Sequence, residues 1–550
     1  MARKTSPTAI APAAGWTSFP ASADTRTVYV SASGNDENDG LSRTKPKRTL
    51  ASAVSRLRHG FPDWLLLERG SAWHESLGRW KLSGRSAGEP MLISSFGESP
   101  KRPLLLTGTH GGIWTNGGGG SPASIDNLAL VGLCFRADGY EGGGDCIGAQ
   151  FLQPASQLLI EDCAFEGYST NIVLQGLGGR HSDLRVRRCV IADAYTIHAT
   201  GGHSQGLYAF AVDGLLLEEN LFDHNGWNES VPGAGADIFS HDIYIDNGNT
   251  AVSVRGNIIA NASSHGMQLR PGGAVVDNLF LGNSIALSVG GGNHPETGGV
   301  RAEVRDNVIL DGKNIDDDKP RGWGIWLANI ASGRVANNLI ANNARGTQPW
   351  AITLDGLHRG DEAASIGIHA LAIEKNVVFD WGGGILVQGG SACFVDVDLI
   401  GNDLQESIGS RPLLVYDDSA SVASIRTKGN RLFSQVAPPQ SWVRIADRPG
   451  SPPAPQRASY ADARRSPAAY SKSQGGEESV AAFLRQVRAQ SKATWREEFT
   501  AHAVNDYLRA GFGLQGRSQN EARHRGGAWL VLVGAASSDA RRRSCQVIDR

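Results

Sequence analysis

The sequence predicts an all-β solenoid, a parallel β-helix of about eleven coils with a short N-terminal cap helix and a C-terminal helical appendage. Three observations predict it. One polar residue recurs at the same point of a short β-type segment, in VRGNIIAN, VVDNLFLGN, VRDNVILDG, VANNLIANN and IEKNVVFDW, as Asn257, Asn278, Asn307, Asn338 and Asn376. Asn220, Asn402 and Asn430 extend the column, and Cys163 and Cys189 hold the slot earlier. The spacing from Cys163 to Asn430 drifts through 26, 31, 37, 21, 29, 31, 38, 26 and 28 residues, the mark of a solenoid.

Each unit carries two short strands. One alternates around the marked position, as in Val254–Asn257–Ile259. The other alternates more cleanly, as in Leu207/Ala209, Ile243/Ile245, Met267/Leu269, Ile285/Leu287, Ile325/Leu327, Ile352/Leu354 and Ile385/Val387. Period two means one face in and one face out. No unit holds the long amphipathic helix that a βαβ crossover needs, so successive turns stack about 4.8 Å apart. An inward asparagine has a donor and an acceptor, so stacked copies bond each other and the turn backbone. Cysteine at that slot stacks without those bonds.

Composition removes several function classes. The 550 residues carry a formal charge of −2, which leaves no global basic field for nucleic acid. Sixty-nine glycines suit a chain of tight turns. The six cysteines form no CxxC pair, so zinc is not expected, and Cys163 and Cys189 read as stacked core thiols rather than a disulfide. The longest apolar run, Trp529–Ala536, is too short to span a membrane. The opening MARKTSPTAIAPAAGW has two basic residues but no apolar stretch of the length a signal peptide requires.

Along the chain, residues 1–25 read as a disordered lead and 26–436 as the β-helix domain with its cap. Residues 437–475, rich in Pro, Ser, Ala and Arg, read as a linker; 476–513 form one or two amphipathic helices that cap the end or pack on the side; 514–550 show no pattern and read as a poorly ordered tail. A solenoid end needs a cap, and a short helix from Thr49 to Leu57 is placed to supply it. The string YVSASGNDENDG with KPKRTLASAV resembles the opening of right-handed parallel β-helix proteins of the pectate-lyase-like superfamily, and is similar to the start of family 9 pectate lyases. With the repeats the likeness covers roughly residues 27 to 435. It implies the right-handed fold, a polysaccharide partner and an extracellular or periplasmic setting. It leaves the reaction open among lyase, hydrolase, epimerase and tailspike.

Aligning the clean strands places Tyr208, Tyr244, Gln268, Ala286, Trp326 and Thr353 in one outward column. Phe210, Asp246, Arg270, Ser288, Ala328 and Asp355 fall in the next. SHDIYID lies one coil from SHGMQLR, so His241 stacks on His265, Tyr244 on Gln268 and Asp246 on Arg270. The expected catalytic set is His241, His265, Tyr244 and Arg270. Asp246, Gln268, Tyr208, Trp326 and Asp242 are the expected substrate contacts. A uronate lyase needs a cation to neutralise the substrate carboxylate, a base for the adjacent proton and an acid for the leaving oxygen. By strict alternation the two histidines share the parity of inward Ile243 and Ile245, so a buried stack holding the turn is the rival. Asp246 with Arg270 also reads as a plain surface ion pair. The insertions His224–Ser240 and Gly346–His369 are expected cleft walls.

Hydrolase chemistry needs two carboxylates about 5–9.5 Å apart. Asp242 and Asp246 stand about 13 Å apart along a strand, so Asp237 or Asp223 would have to complete a pair with Asp242. The resemblance implies a lysine base with aspartate-held calcium. Lys313, Lys319 and Lys375 are the only lysines between 103 and 427, and none lies on the clean columns, so that mechanism does not carry over. No cofactor is required and no metal ligand is assigned. The run Asp316–Asp317–Asp318 is compatible with Ca²⁺, but reads more simply as a solvated loop. The leading expectation is a polysaccharide lyase on a uronate-containing glycan. A glycoside hydrolase or C5-epimerase on the same fold follows, and then a non-catalytic glycan-binding or structural β-helix.

Overall fold

A computed structural model describes residues 15–514, except 117–122, 200–201, 293, 317, 320, 344–349, 358–364 and 408–410. The first fourteen residues of the expected lead and the tail from 515 lie outside the described residues. Residues 18–516 make one compact unit.

Within that unit three sheets stack side by side, of fourteen, fourteen and thirteen strands. Every third strand in chain order joins the same sheet, and the pairs are parallel apart from the final Val443–Ile445 with Arg448–Pro449. The chain is therefore a parallel β-helix. It has more coils than the expected eleven, because the first strands, such as Ala72–Trp73 and Gly78–Arg79, are too short to show alternation. One coil illustrates the course. Thr250–Arg255 lies in the first sheet, Ile258–Ala260 in the second and His265–Leu269 in the third.

The asparagine column sits at the turn from first to second sheet. Asn220, Asn257, Asn278, Asn307, Asn338, Asn376 and Asn402 each donate Nδ2 to the Oδ1 of the next column member at 2.9–3.0 Å, ending on Asn430. The same Oδ1 accepts the backbone N–H of the asparagine below it, and Nδ2 also reaches a carbonyl of the preceding coil. Cys163 and Cys189 are free, buried thiols in that slot. Each column residue follows one in the left-handed region: Asp162, Arg188, Glu219, Gly256, Asp277, Asp306, Asn337, Lys375, Gly401 and Gly429 have φ between 51° and 66°. That conformation costs about 1 kcal/mol or more for a side chain other than Gly, Asn or Asp, so the ladder must outweigh it at Arg188, Glu219 and Lys375.

A second, shorter column marks the turn into the third sheet. Asn225 Nδ2 donates to Ile191 O, and Ala194 N donates to Asn225 Oδ1; Asn283 repeats both bonds with Ile259 and Ala262. Inside, apolar stacks fill the tube, with Phe135 and Phe165 face to face at 4.9 Å and Phe222 and Phe280 fully buried further along.

The N-terminal helix Leu50–Val54 is capped by the Thr49 hydroxyl accepting from Ser52 N and buries Leu50 and Ala53 over the first coils. Residues 18–25 of the expected lead run beside the first sheet, where Phe19 packs on Leu92, Ala129, Val131 and Leu159. Part of the expected linker, 437–450, closes the last coil: Trp442 is buried and its Nε1 donates to Ala437 O.

The appendage packs on the side. Helices Pro467–Ser473, Val480–Arg488 and Ala501–Gly511, with the 3-10 turn Glu497–Phe499, lay Tyr470, Phe483, Val487, Phe499, Val504 and Leu508 against Val190, Leu221, Ile258, Leu279, Val308 and Leu339 on the outer face of the second sheet. Turn residues at the rims of that sheet hold it. Arg488 pairs with Asp193 and Asp223, His502 with Glu219 and Asp277, and Arg509 with Asp306.

Asn307→Ala removes the acceptor for Asn278 N and Nδ2 and the donor to Val275 O, leaving buried groups unpaired at about 1–3 kcal/mol each. It should lower stability by about 3 kcal/mol in a urea titration, whereas Asn430→Ala at the half-buried end should cost about 1 kcal/mol.

Candidate functional site

The outer face of the third sheet carries the candidate residues, and its pairing sets their neighbours. Tyr208 pairs with Tyr244, Tyr244 with Gln268, Gln268 with Ser288, Ser288 with Trp326 and Trp326 with Thr353. The next column runs Phe210, Asp246, Arg270, Gly290, Ala328, Asp355. Two positions in the predicted alignment are therefore corrected. Met267 pairs with Leu287, not Ile285, because strand Ile285–Gly290 begins one pair early. Ala286 drops out of the Tyr244 column, Ser288 replaces it, and Gly290 takes the place beside Arg270.

Around Tyr244 four side chains converge. The Tyr208 hydroxyl donates to Asp246 Oδ2 at 3.1 Å, and the Tyr208 and Tyr244 rings meet edge-on at 5.3 Å. The Arg270 guanidinium lies 5.1 Å over the Tyr244 ring, with Nη1 3.6 Å from Asp246 Oδ1. That is an ion pair without a hydrogen bond. Among the described residues the guanidinium makes no hydrogen bond, and its Nε is buried without a partner.

His241 and His265 open their strands, with rings 4.6 Å apart and His241 5.5 Å from Tyr244. The buried stack and the position near the other candidates are thus both realised. His241 Nδ1 accepts from His265 N at 3.4 Å, which leaves its proton on Nε2; His265 Nδ1 faces Ser264 Oγ at 3.1 Å. His265 is partly exposed, His241 buried.

Burial sets the proton states. It holds His241 well below the ordinary imidazole value, with His265 adding to the effect. It takes His265 down to about 3, helped by the charges of Arg321 and Arg270. Tyr244 is pushed up to about 12 by burial, against the pull of Arg270 and with Asp246 adding to the rise; burial and Asp246 raise Tyr208 further. At neutral pH the histidines and tyrosines are uncharged, and the fixed charges are Arg270 and Asp246.

Asp242 is a correction. It is fully buried near the start of strand His241–Ile245, where His241, Asp242 and Ile243 are all buried and strict alternation breaks, and its Oδ1 accepts from Asn225 Nδ2 at 2.7 Å. Burial raises its pKa well above the ordinary value, and it is out of reach of a ligand on the outer face. Asp223, a suggested partner for it, is held by Arg488 of the appendage at 2.7 Å.

Trp326 lies half-buried on the face and donates Nε1 to Asp355 at 3.1 Å. The insertion His224–Ser240 presents Phe239, 53% exposed and stacked on His203 at 4.8 Å. Of the other expected wall, residues 346–349 and 358–364 lie outside the described residues, and Trp350–Asp355 is a strand of the third sheet. Asp316 pairs with Lys319 at 2.5 Å, and no group of three or more His, Cys, Asp or Glu converges as a cation site among the described residues. Sequence reasoning put Ser288 on the outer face but one column off, and missed Arg321; the run Gly290–Gly292 was the available signal for where strand Ile285–Gly290 ends.

No curated protein matches this sequence. A family model described as a right handed beta helix region matches residues 145–309, in keeping with the coil described above. Among solved structures, a GH136 lacto-N-biosidase from Eubacterium ramulus is similar at 15% identity and TM-score 0.36, over 78% of this chain and 66% of that one. The PL6 family alginate lyase AlyGC is similar at 14% and 0.45, over 75% and 52%. The Azotobacter vinelandii mannuronan C-5 epimerase AlgE4 A-module is similar at 11% and 0.38, over 72% and 91%.

An imidazole kept neutral down to about pH 3 costs stability in acid. The unfolded chain takes up that proton near pH 6.5, so it binds more protons than the folded one and stability falls as pH drops below 6.5. His265→Gln should shrink the loss of thermal midpoint between neutral pH and pH 5 relative to the parent.

Proposed function

We propose that the protein is a polysaccharide lyase that cleaves a uronate-containing glycan by β-elimination on the outer face of the third sheet. One observation supports it above the others: a guanidinium, Arg270, that spends no hydrogen bond among the described residues, beside two neutral imidazoles and a neutral tyrosine. A β-elimination next to a carboxylate needs those three elements.

The substrate carboxylate lies on Arg270, which neutralises it and stabilises the enolate-like charge that develops when the neighbouring C–H proton leaves. His265 Nε2 is the base, since its Nδ1 faces Ser264. It is weak in the resting site, held down by burial and by two arginine charges. A bound carboxylate compensates one of those charges and raises its basicity. The C–H electrons form the C4–C5 double bond and the C4–O bond breaks. The neutral Tyr244 hydroxyl gives its proton to the leaving oxygen, and the phenolate so formed lies beside Arg270. His241 holds the His265 strand start in place, and Trp326 offers a ring for sugar stacking. Asp246 keeps Arg270 and Tyr208 oriented.

Incubation with a panel of uronans, followed by ultraviolet absorbance of the unsaturated product, tests the proposal. A rise with at least one uronan is expected. No rise on any, with reducing ends released from a neutral glycan, would turn it toward a hydrolase. Tyr244→Phe should cut turnover by about 100-fold or more, and Arg270→Gln by a similar factor while Arg270→Lys keeps part of it. The acid limb of kcat/KM should lie well below 6.5, because the base is neutral down to about pH 3.

A further inference from the structure

Three consecutive residues at the end of the third-sheet strand Ile285–Gly290, namely Gly290, Gly291 and Gly292, have φ of 72°, 66° and 102°. Backbone N–H groups of a turn that leaves the ladder are a recurring anion-binding element. Among the described residues the N–H groups of Gly291 and Gly292 donate no hydrogen bond. The turn is threaded between two side chains of the site. A Cβ on Gly292 would stand 3.1 Å from the Arg270 guanidinium carbon, and one on Gly291 2.6 Å from the Trp326 ring. Glycine at these positions thus lets the backbone approach Arg270 and Trp326.

Two more donors at neighbouring positions of the same sheet lack partners. Ser288, in the outward column between Gln268 and Trp326, is only 2% exposed, yet its Oγ has no hydrogen bond. Arg270 Nε is likewise buried and unpaired. A buried polar atom left unpaired is costly, and a cluster of such donors within neighbouring coils calls for an acceptor. The carboxylates nearby do not supply one. Asp246 stays 3.6 Å from Arg270 and takes the Tyr208 hydroxyl and Asn247 N, while Glu296 accepts from Gly248 N.

We infer that Gly291 N–H, Gly292 N–H, Ser288 Oγ and Arg270 form one recess for a ligand carboxylate, and that Ser288 and the glycine turn determine specificity for a uronate over a neutral sugar. The ligand's identity as a uronate rests on the proposed lyase activity; the location of the recess does not. The recess distinguishes a planar carboxylate by offering donors from two directions, the guanidinium fork on one side and the backbone turn on the other. Gly292 also positions Arg270, because a side chain there displaces the guanidinium.

Calorimetric titration of the full chain with galacturonate, guluronate, mannuronate and glucuronate trisaccharides, each beside its carboxyl-reduced form, tests this. The parent should bind at least one acidic trisaccharide and bind its reduced form far more weakly. Ser288→Ala should weaken the acidic ligand about tenfold, and Gly292→Ala more, with the reduced form unaffected. Circular dichroism and thermal midpoint confirm that both variants fold; Ser288→Ala is the safer, since it removes one atom and adds none. Acidic and reduced forms bound equally, no acidic form bound, or unchanged affinity in both folded variants would overturn the recess. Binding without unsaturated product would leave the recess standing and remove the lyase activity. Turnover with KM unchanged in both variants would do the reverse.

Discussion

The asparagine-to-asparagine hydrogen bond is the interaction on which the rest of this molecule depends. Each coil must turn sharply out of its first sheet, and it does so through a residue in the left-handed region that most side chains disfavour. The turn leaves a backbone N–H that no strand can pair. The amide one coil away takes that N–H and returns a donor to a carbonyl of the turn's own coil, so the N–H and the amide are both paired. Because the bond runs from coil to coil, it also locks the vertical register. Register then decides which side chains meet on the outer faces.

That consequence is visible at the candidate site. Arg270 stands beside Tyr244 and Asp246 only because strand His265–Leu269 is held in register on His241–Ile245. The site is built from single residues on successive coils, placed by a scaffold whose own chemistry is structural. Proton states follow from the same geometry: packed over the sheet, the imidazoles lose water and stay neutral, while the guanidinium keeps its charge and lacks a hydrogen bond among the described residues.

The fold was legible because its signal repeats. Asn257 alone is a turn residue; eight copies with apolar flanks are a ladder. The second column was not legible, since Asn225 and Asn283 alternate with Ala194 and Ala262 and the period is lost. The site was legible as far as stacking of identical motifs allowed, so SHDIYID met SHGMQLR correctly. It failed at Ile285–Gly290, where three alternating aliphatic residues, Ile285, Leu287 and Val289, fit either register and only pairing distinguishes them. Asp242 was misplaced because alternation fails over the first residues of strand His241–Ile245, where three in a row are buried beside the turn. The side-on packing of the C-terminal helices depends on carboxylates at turn positions, which local sequence does not distinguish from solvated turns.

Those turn carboxylates change how the molecule behaves as a whole. A solenoid of repeats touching only their neighbours unfolds piecemeal, from whichever end is weakest. Here one helical segment bonds to Asp162, Asp193, Asp277 and Asp306 in different coils, and Arg102 reaches across 388 positions to Gln490. Distant coils thereby share a common partner. The strap makes an otherwise linear stack cooperative, so that the coils carrying the candidate site cannot fray independently of those on either side.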